Sequence, residues 1–357
     1  MRSPRPSPIA TQRMLRQGLT ATGFRTPADV VSWLGAVQAQ EYLPATWGLA
    51  QRMSGSPAHA RLEQAVASGE ILRTHILRPT WHFVTPADIR WMLALTGPRV
   101  IRAMSGYMRQ HGIAAATATR AVSMMERALD GRALTRPELG IELARRGLAF
   151  TGTPLALLTM HAELEGVICS GPFQGGRLTY ALLDERAPST PKRSRDEAVS
   201  ELVRRFFQSH GPATTRDFAW WSGLTMADAK RGLDIVGGRS TAFDGLTYWT
   251  VGRPRPARAT APRLHLLPIY DEYIVAYRDR VAVPHGSERR VPLGPGLTFQ
   301  HALVIDGQIG GTWKTRKRGQ GVTVEPIPLR RLAISEERAL AGARARCERF
   351  LGGAFAA

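Results

Sequence analysis

Two glutamines separated by one residue, Gln38 and Gln40, are the strongest candidates for chemistry in this sequence. They lie between the end of a predicted amphipathic helix and Tyr42. Residues two apart diverge by about 200° in an α-helix but emerge on the same side of an extended or irregular segment. A non-helical Gln38-Ala39-Gln40 segment would therefore aim two neutral amides at one target. The pair could then hold one water between them.

Spacing alone favours a plainer interpretation of this glutamine pair. The last carbonyl groups of a helix lack partners within it, and two glutamines could simply satisfy such backbone groups. A glutamine amide also cannot act as a general base near neutral pH. A catalytic role for Gln38 and Gln40 therefore requires a substrate that is already activated.

The composition indicates a globular protein with a polyanionic partner. Lys and Arg outnumber Asp and Glu by 48 to 29, which gives a formal net charge of +19. So positive a charge favours nucleic acid as the partner. An Arg-, Ala-, Gly- and Pro-rich coding bias would raise the charge without any nucleic acid, so the fold pattern must decide. The apolar fraction, 43%, is sufficient for a core in each of several domains.

Membrane segments, disulfides and metal sites are not expected. No stretch approaches the ~18 apolar residues of a membrane helix, and no apolar run follows residues 1–8 to form a signal peptide. Cys169 and Cys347 lie far apart and outside any CxxC motif or histidine cluster. They indicate buried thiols rather than a disulfide framework or a zinc site. We expect a cytoplasmic protein with a frayed N-terminus, no metal and no cofactor.

A repeated order of elements suggests three winged-helix modules. Helices begin with Thr-x-x-acid capping boxes and are followed by two short strands with a turn between them. In the first copy helices begin at Thr26 and Thr85, and the first of them is predicted to carry an apolar face as far as Val37. The other elements of this copy are a helix over about 57–67 and strands near 70–77 and 80–84.

The second and third copies repeat this order. The second begins near Ala115, has its capping box at Thr135 and has a glycine-rich wing tip at 172–176, between strands at 166–169 and 177–183. The third follows a linker rich in Pro, Ser and charge. Its helices begin near Thr214 and Thr225, its hairpin turns at Asp244-Gly245, and Trp220 and Trp221 are predicted to pack inside it.

The C-terminal region is predicted to be a small β-rich element closed by a helix over about 335–351. Its strands are expected at 264–267, 302–305, 309–314 and 322–326. One hairpin carries four cations at its tip, a charge that fits a DNA groove although a solvated turn is the plainer alternative: Lys314, Arg316, Lys317 and Arg318. The fold class is α+β. The predicted boundaries are a disordered start at 1–10, winged helices at 11–113, 114–190 and 195–255, and the C-terminal region at 263–357.

Several stretches together resemble one protein family. They are residues 37–42 together with Trp47 and Gly48, residues 72–75 followed by 78–82, residues 267–273, and residues 305–307 followed by 311–313. In this order they resemble the AlkZ family of bacterial DNA glycosylases, a tandem winged-helix superfamily. The resemblance covers most of the chain. It implies three winged-helix modules around a DNA-binding channel, with the C-terminal β-rich element completing the fold.

The resemblance also implies an activity, which is the monofunctional excision of alkylated, mainly N7-substituted, purines from double-stranded DNA. The catalytic signature of the family is His or Gln, an aliphatic residue, then Gln, and Gln38-Ala39-Gln40 matches its Gln-first form. That form is associated with self-resistance to DNA-alkylating natural products and with unhooking of interstrand crosslinks. Three modules in one chain fit a monomer that wraps a duplex, and we expect it to be associated with the nucleoid.

The resemblance assigns expected roles to individual residues. Gln38 and Gln40 would hold a water against the anomeric carbon and stabilise an oxocarbenium-like sugar. Asp271 could act as a base or support the sugar cation, although an acid that begins a helix is often only an N-cap. Arg73 and Arg78 fit phosphate contact and plain solvation equally well. No catalytic role is assigned to the histidines of the first wing, His75 and His82.

Two other functions remain open from the sequence. A non-catalytic DNA-binding protein such as a transcription regulator would use winged helices equally well. A nuclease or phosphotransferase is less favoured, because the sequence lacks both a carboxylate cluster for metal and a phosphate-binding loop.

Overall fold

The computed structural model describes residues 7–20, 23–253, 263–278, 300–318 and 321–355. In chain order the helices are α1 Pro8–Arg16, α2 Pro27–Leu34, α3 Tyr42–Ala50, α4 His59–Ala67, α5 Pro86–Gln110, α6 Ala115–Leu129, α7 Arg136–Arg145, α8 Gly152–Leu164, α9 Leu183–Arg186, α10 Arg195–Ser209, α11 Thr215–Ser222, α12 Met226–Val236, α13 Glu272–Val275 and α14 Ile334–Phe355. The strands are β1 Val37–Gln38, β2 Leu72–Ile76, β3 Arg78–Val84, β4 Leu134–Thr135, β5 Ile168–Ser170, β6 Thr179–Leu182, β7 Arg239–Phe243, β8 Leu246–Thr250, β9 Leu264–Leu267, β10 His301–Ile305, β11 Gln308–Arg318 and β12 Gly321–Pro328. None of the described helices is both long and apolar enough to cross a membrane.

The chain forms two compact units. The first consists of Met1–Leu62, Ser200–Trp221 and Thr225–Ala357, and the second of Glu63–Val199 and Ser222–Leu224. Helices and hairpins follow one another along the chain in the order expected for an α+β fold with three winged helices and a C-terminal β-rich element. The module boundaries themselves stay a prediction.

The second unit contains a complete winged helix. The helices α6, α7 and α8 surround a core of Met, Leu and Ala side chains, and the strands form an antiparallel sheet in the order β4-β6-β5. The capping box predicted at Thr135 is present, since its hydroxyl accepts from the N–H of Glu138. In the wing Gly175 and Gly176 adopt φ values of 53° and 73°, which favour glycine. The predicted wing strands are confirmed, although both are shorter than expected.

The first unit contains two antiparallel sheets. Strands β9 to β12 form a four-stranded sheet in the order β12-β11-β10-β9. Strands β7 and β8 pair around the predicted Asp244-Gly245 turn, since Phe243 is paired with Leu246. A core cluster joins α1 to the four-stranded sheet and includes Met14, Leu267 and Val304. The proline-rich segment that follows β8, residues 253–262, lies mostly outside the described residues.

Two expectations about the first unit were wrong at the edges of helices. The predicted first helix extends only to Leu34, because Gly35 follows with a φ of 84°, and Val37 lies in β1 instead of on the helix face. The chain then stays non-helical until Tyr42 begins α3. At the N-terminus α1 begins at Pro8 with Ser7 as its N-cap, so residues 8–10 of the segment predicted to be disordered are helical.

Candidate functional site

The Gln38-Ala39-Gln40 segment is non-helical, as its proposed chemistry requires. Gln38 ends β1 and is 6% exposed, Ala39 is buried, and Gln40 is half-buried in a bend before α3. The backbone N–H of Gln38 donates to Oε1 of Glu272 at 2.7 Å. A residue 234 positions later in the chain therefore fixes the backbone of the first glutamine.

Glu272 lies at the centre of a buried hydrogen-bond network in the first unit. The residue is 1% exposed and begins α13. Its Oε2 accepts from Nε1 of Trp221 at 3.0 Å and lies 3.2 Å from Nε2 of His210. Both carboxylate oxygens are thus engaged, as a buried carboxylate requires.

Asp271 forms a buried bidentate ion pair with Arg52. Nη1 and Nη2 of Arg52 donate to the two carboxylate oxygens of Asp271, each at 2.8 Å. Burial opposes the charged guanidinium, but the Asp271 carboxylate outweighs it and the pKa of Arg52 is raised. Asp271 is also the N-cap of α13, because its Oδ1 accepts from the N–H of Tyr273 at 2.9 Å. The geometry therefore favours the structural role over activation of a water.

The neighbouring Trp47 and Gly48 have local reasons for their identities. Nε1 of Trp47 donates to the carbonyl oxygen of Leu266 at 2.8 Å, and the ring is buried. A Cβ on Gly48 would lie 3.2 Å from Oδ2 of Asp271, and the Gly48 carbonyl accepts from Arg52 at 2.8 Å. Glycine at this position in α3 lets the ion pair approach the helix closely.

The basic hairpin predicted near the C-terminus is formed by β11 and β12. Lys314 and Arg316, 54% and 62% exposed, both pair with Glu325, at 3.6 Å and 2.6 Å. Because side chains alternate along a strand, Lys317 lies on the opposite face from these two cations. Arg318 is paired with Gly321 at the end of the hairpin, and its side chain lies outside the described residues. The predicted cluster is therefore divided between two faces.

In the second unit, the remaining predicted DNA contacts lie on β2 and β3. Arg73 is half-buried, with its guanidinium carbon 4.4 Å from the centre of the Trp81 ring. Arg78 is the first residue of β3 and is also half-buried. Nδ1 of His75 contacts a carboxylate oxygen of Glu163, as befits a hydrogen-bonded packing residue. The structure leaves phosphate contact by Arg73 and Arg78 as a prediction.

Four residues of the site were missed by sequence reasoning: Arg52, His210, Glu272 and Trp221, the last of which was assigned only to packing. Glu272 lies within the 267–273 stretch that carries the resemblance, so attention to every polar residue of that stretch would have found it. Arg52 and His210 belong to none of the quoted motifs. Within the described parts of the chain no group of three or more His, Cys, Asp or Glu residues could hold a metal ion.

A model of the AlkZ-like DNA glycosylase family matches residues 31–350, a range that contains Gln38, Gln40 and Glu272. The chain belongs to the AlkZ-like DNA glycosylase family. Its fold is similar to that of Streptomyces sahachiroi DNA glycosylase AlkZ, with a TM-score of 0.74 and 21% sequence identity over 96% of this chain and 95% of that chain. No curated protein matches the sequence.

The family membership decides between the functions that the sequence left open. This AlkZ-like protein is a DNA glycosylase, a DNA-binding enzyme of DNA repair, rather than a transcription regulator or a nuclease. The structural similarity confirms the α+β fold class.

His301 makes the stability of this AlkZ-like protein in acid depend on a hydrogen bond to the segment that precedes α13. Its Nδ1 accepts from the N–H of Ile269 at 2.9 Å, and its ring stacks on Trp313 with centroids 4.2 Å apart. Burial lowers the pKa of His301 to about 4. A protonated Nδ1 could not accept from Ile269, so the folded state requires the neutral imidazole.

We expect His301 to lower stability in acid. The unfolded chain binds the proton below about pH 6.5, whereas the folded chain does so only below about pH 4. The free energy of unfolding should therefore fall between these values, with roughly 1–3 kcal/mol coming from this residue. Urea unfolding of wild type and His301→Gln at several pH values measures it, since glutamine can still accept from Ile269. Identical pH dependence in both proteins would contradict the prediction.

Proposed function

We propose that this glycosylase hydrolyses the N-glycosidic bond of cationic N7-alkylated purines in duplex DNA, with Gln38 and Gln40 as its catalytic residues. The observation that carries the proposal is the non-helical Gln38-Ala39-Gln40 segment, in which Gln40 is half-buried and the backbone N–H of Gln38 is held by Glu272. Two neutral amides in such a segment suit a substrate that needs no acid catalysis.

The chemistry follows from the charge of the substrate. Alkylation at N7 makes the purine cationic, so breaking the C1′–N9 bond sends its electron pair to the purine and releases a neutral base. The attacking water forms the new C1′–O bond and loses a proton to solvent. The carbonyl oxygens of Gln38 and Gln40 would accept hydrogen bonds from this water and direct negative dipole ends towards the oxocarbenium-like sugar.

Asp271 has a supporting part in this proposal. Its carboxylate oxygens both accept from Arg52, so it is poorly placed to take a proton from water. It caps α13, the helix whose first residue is Glu272. We assign Asp271 to holding this helix and, through its charge, to the electrostatics around the sugar cation.

The same chemistry extends to larger lesions. Bulky natural-product adducts and interstrand crosslinks joined through N7 of purines carry the same positive charge, so their glycosidic bonds are equally activated. A role in self-resistance to DNA-alkylating natural products follows from activity on such adducts. We propose that the protein acts as a monomer on the nucleoid, with Arg73, Arg78 and the basic hairpin contacting phosphates.

The test is release of N7-methylguanine from a duplex, detected by alkaline cleavage at the abasic site. Duplexes with a bulky N7 adduct or an N7 crosslink extend the test to larger lesions. Duplexes with uracil or hypoxanthine are the matched controls, because these bases are neutral and should not be released. The proposal is wrong if no N7-alkylated duplex is cut, or if the neutral bases are released equally fast.

The basic hairpin should contribute strongly to salt-dependent DNA binding. Replacing Lys314, Arg316, Lys317 and Arg318 together by Ala should reduce the slope of log affinity against log salt by about 2–3, since each phosphate contact contributes about 0.9. The expected reduction in slope is smaller than the sum for four phosphate contacts, because Glu325 already pairs with Lys314 and Arg316. Fluorescence anisotropy of a labelled duplex over a salt series measures the slope.

Glu325→Gln is the control of opposite sign for this hairpin. It removes the negative partner of Lys314 and Arg316 while keeping the strand pairing with Lys314. The variant is expected to bind DNA more tightly than wild type at low salt. An unchanged slope in the four-Ala variant would show that the hairpin does not contact DNA.

A further inference from the structure

Glu272 occupies an unusual position for a residue with no assigned role. It is 1% exposed, yet it joins the candidate catalytic segment to two side chains of a different part of the chain, His210 and Trp221. A buried carboxylate destabilises the folded state unless it is hydrogen-bonded. Three hydrogen-bonding groups converge on its two oxygens, which meets that requirement.

We propose that Glu272 is a positioning residue for the glycosidic reaction, which holds Gln38 and thereby Gln40 in register with the sugar. The inference rests on the proposed catalytic role of these glutamines. Glu272 acts through the backbone N–H of Gln38, while Trp221 and His210 hold its other oxygen. Because the carboxylate is buried and its oxygens are engaged, it does not meet the substrate.

The position of the segment explains why it needs such an anchor. Helix α2 ends at Leu34 and α3 begins at Tyr42, so residues 36–40 lie outside the hydrogen-bond ladder of either helix. The Gln38 N–H is bound by a side chain instead. A misplacement of about 1 Å in a catalytic group can lower a rate by about 100-fold, so an anchor on this backbone has a large effect on the reaction.

The hydrogen bonds around His210 are compatible with either tautomer of its imidazole ring, so Nε2 can act as a donor or as an acceptor. Nδ1 of His210 lies 2.8 Å from Oγ of Ser209, which is also 2.7 Å from the carbonyl oxygen of Arg205. The Ser209 proton can therefore go to His210, which leaves Nε2–H to donate to Glu272. In the other tautomer the Ser209 proton goes to Arg205, Nδ1–H donates to Ser209, and Nε2 becomes an acceptor.

This adaptability gives a rescue experiment. In Glu272→Gln the amide can still accept from the Gln38 N–H, but its NH₂ then faces the Nε1–H of Trp221, and two donors repel. Adding Trp221→Phe removes that donor, and His210 can change tautomer to accept from the new amide. The double variant restores a consistent hydrogen-bond network without the charge of Glu272.

Two measurements test the role of Glu272. Single-turnover release of N7-methylguanine is expected to fall about 10- to 100-fold in Glu272→Gln and to recover to within about fivefold of wild type in Glu272→Gln/Trp221→Phe. Hydrogen–deuterium exchange of the peptide containing Gln38 should become faster in the single variant and slow again in the double. Affinity for undamaged duplex should stay within about twofold in both.

Asp217→Asn is the matched control. Asp217 is a fully buried acid of the same unit, and its Oδ2 accepts from the N–H of Thr214 at 2.8 Å. The variant should lose stability but keep the exchange rate of the Gln38 peptide and the excision rate of wild type. Equal losses of excision in Asp217→Asn and Glu272→Gln would overturn the proposal, because they would reflect general destabilisation.

The remaining outcomes separate the inference from the proposed function. An active wild type with an equally active Glu272→Gln overturns only the positioning role. Restored protection of the Gln38 peptide without recovery of the rate also overturns it, because the charge of Glu272 would then be the important property. A wild type that releases no alkylated base contradicts the proposed function, and the positioning role fails with it.

Discussion

Replacing Gln38 and Gln40 together by Ala is expected to lower single-turnover excision of N7-methylguanine by about 100- to 1000-fold. The loss of pre-oriented dipoles around the reacting centre has effects of this size in other enzymes. Affinity for the undamaged duplex should change by less than about twofold, because the changed amides are neutral and contact no phosphate in the proposed mechanism. Alkaline cleavage assays and anisotropy measure the two quantities.

The control for this change is Gln64→Ala, an exposed glutamine on α4. It should leave excision, affinity and melting temperature at the wild-type values. Each glutamine should also be replaced alone, since Gln38 is 6% exposed and its loss affects packing more than that of Gln40. If the double variant excises as fast as wild type, the glutamines are not catalytic, even though the chain is a glycosylase.

Arg52→Ala is expected to lower the free energy of unfolding by about 3–5 kcal/mol. The substitution leaves the Asp271 carboxylate buried at 5% exposure without its cation. It also removes the donors to the carbonyl oxygens of Gly48 and Gln17. Urea unfolding at neutral pH measures the loss, and the variant should also lose excision because the loop before α13 supports Glu272.

Two comparisons separate the buried charge from the loss of a side chain. Arg344→Ala removes a partly exposed ion pair with Glu348 in the same unit and should cost less than about 1 kcal/mol. Arg52→Met with Asp271→Asn removes both buried charges and keeps an N-cap for α13, so it should be more stable than Arg52→Ala. A double variant that is less stable than Arg52→Ala would contradict the ion-pair account.

Helix starts and short hairpins were predictable because their causes are local. Capping boxes at Thr26, Thr135 and Thr225 each have the predicted partner three residues later. The Asp244-Gly245 turn joins the predicted strands, since its dipeptide tolerates the positive φ that a tight hairpin requires. Errors arose where one residue ended an element, as at Gly35, which ends α2 before Val37.

Burial of individual side chains was harder to predict. Trp220 and Trp221 were both expected inside the third module, but Trp221 is fully buried whereas Trp220 is 40% exposed. Neighbouring residues on a helix point about 100° apart, so both cannot face the same core. Trp220 still donates to the carbonyl oxygen of Val275, at 3.0 Å.

The sequence by itself determined the net charge of the chain and the local order of its elements. A charge of +19 and the order of capping boxes and hairpins indicated a nucleic-acid partner, and a catalytic role for two neutral amides would require a substrate that is already activated. These properties depend on residue types and on spacings of a few positions, which a sequence shows directly.

Only the tertiary structure decided what holds that site in place. Arg52 and Asp271 are 219 positions apart, and Gln38 and Glu272 are 234 apart, so neither pairing follows from local pattern. The tertiary structure also distinguishes two acids that are adjacent in the sequence. The charge of Asp271 is balanced by Arg52, whereas Glu272 accepts from the backbone N–H of Gln38. Their roles differ because long-range folding places different donors around each carboxylate, and burial then fixes which partners each must keep.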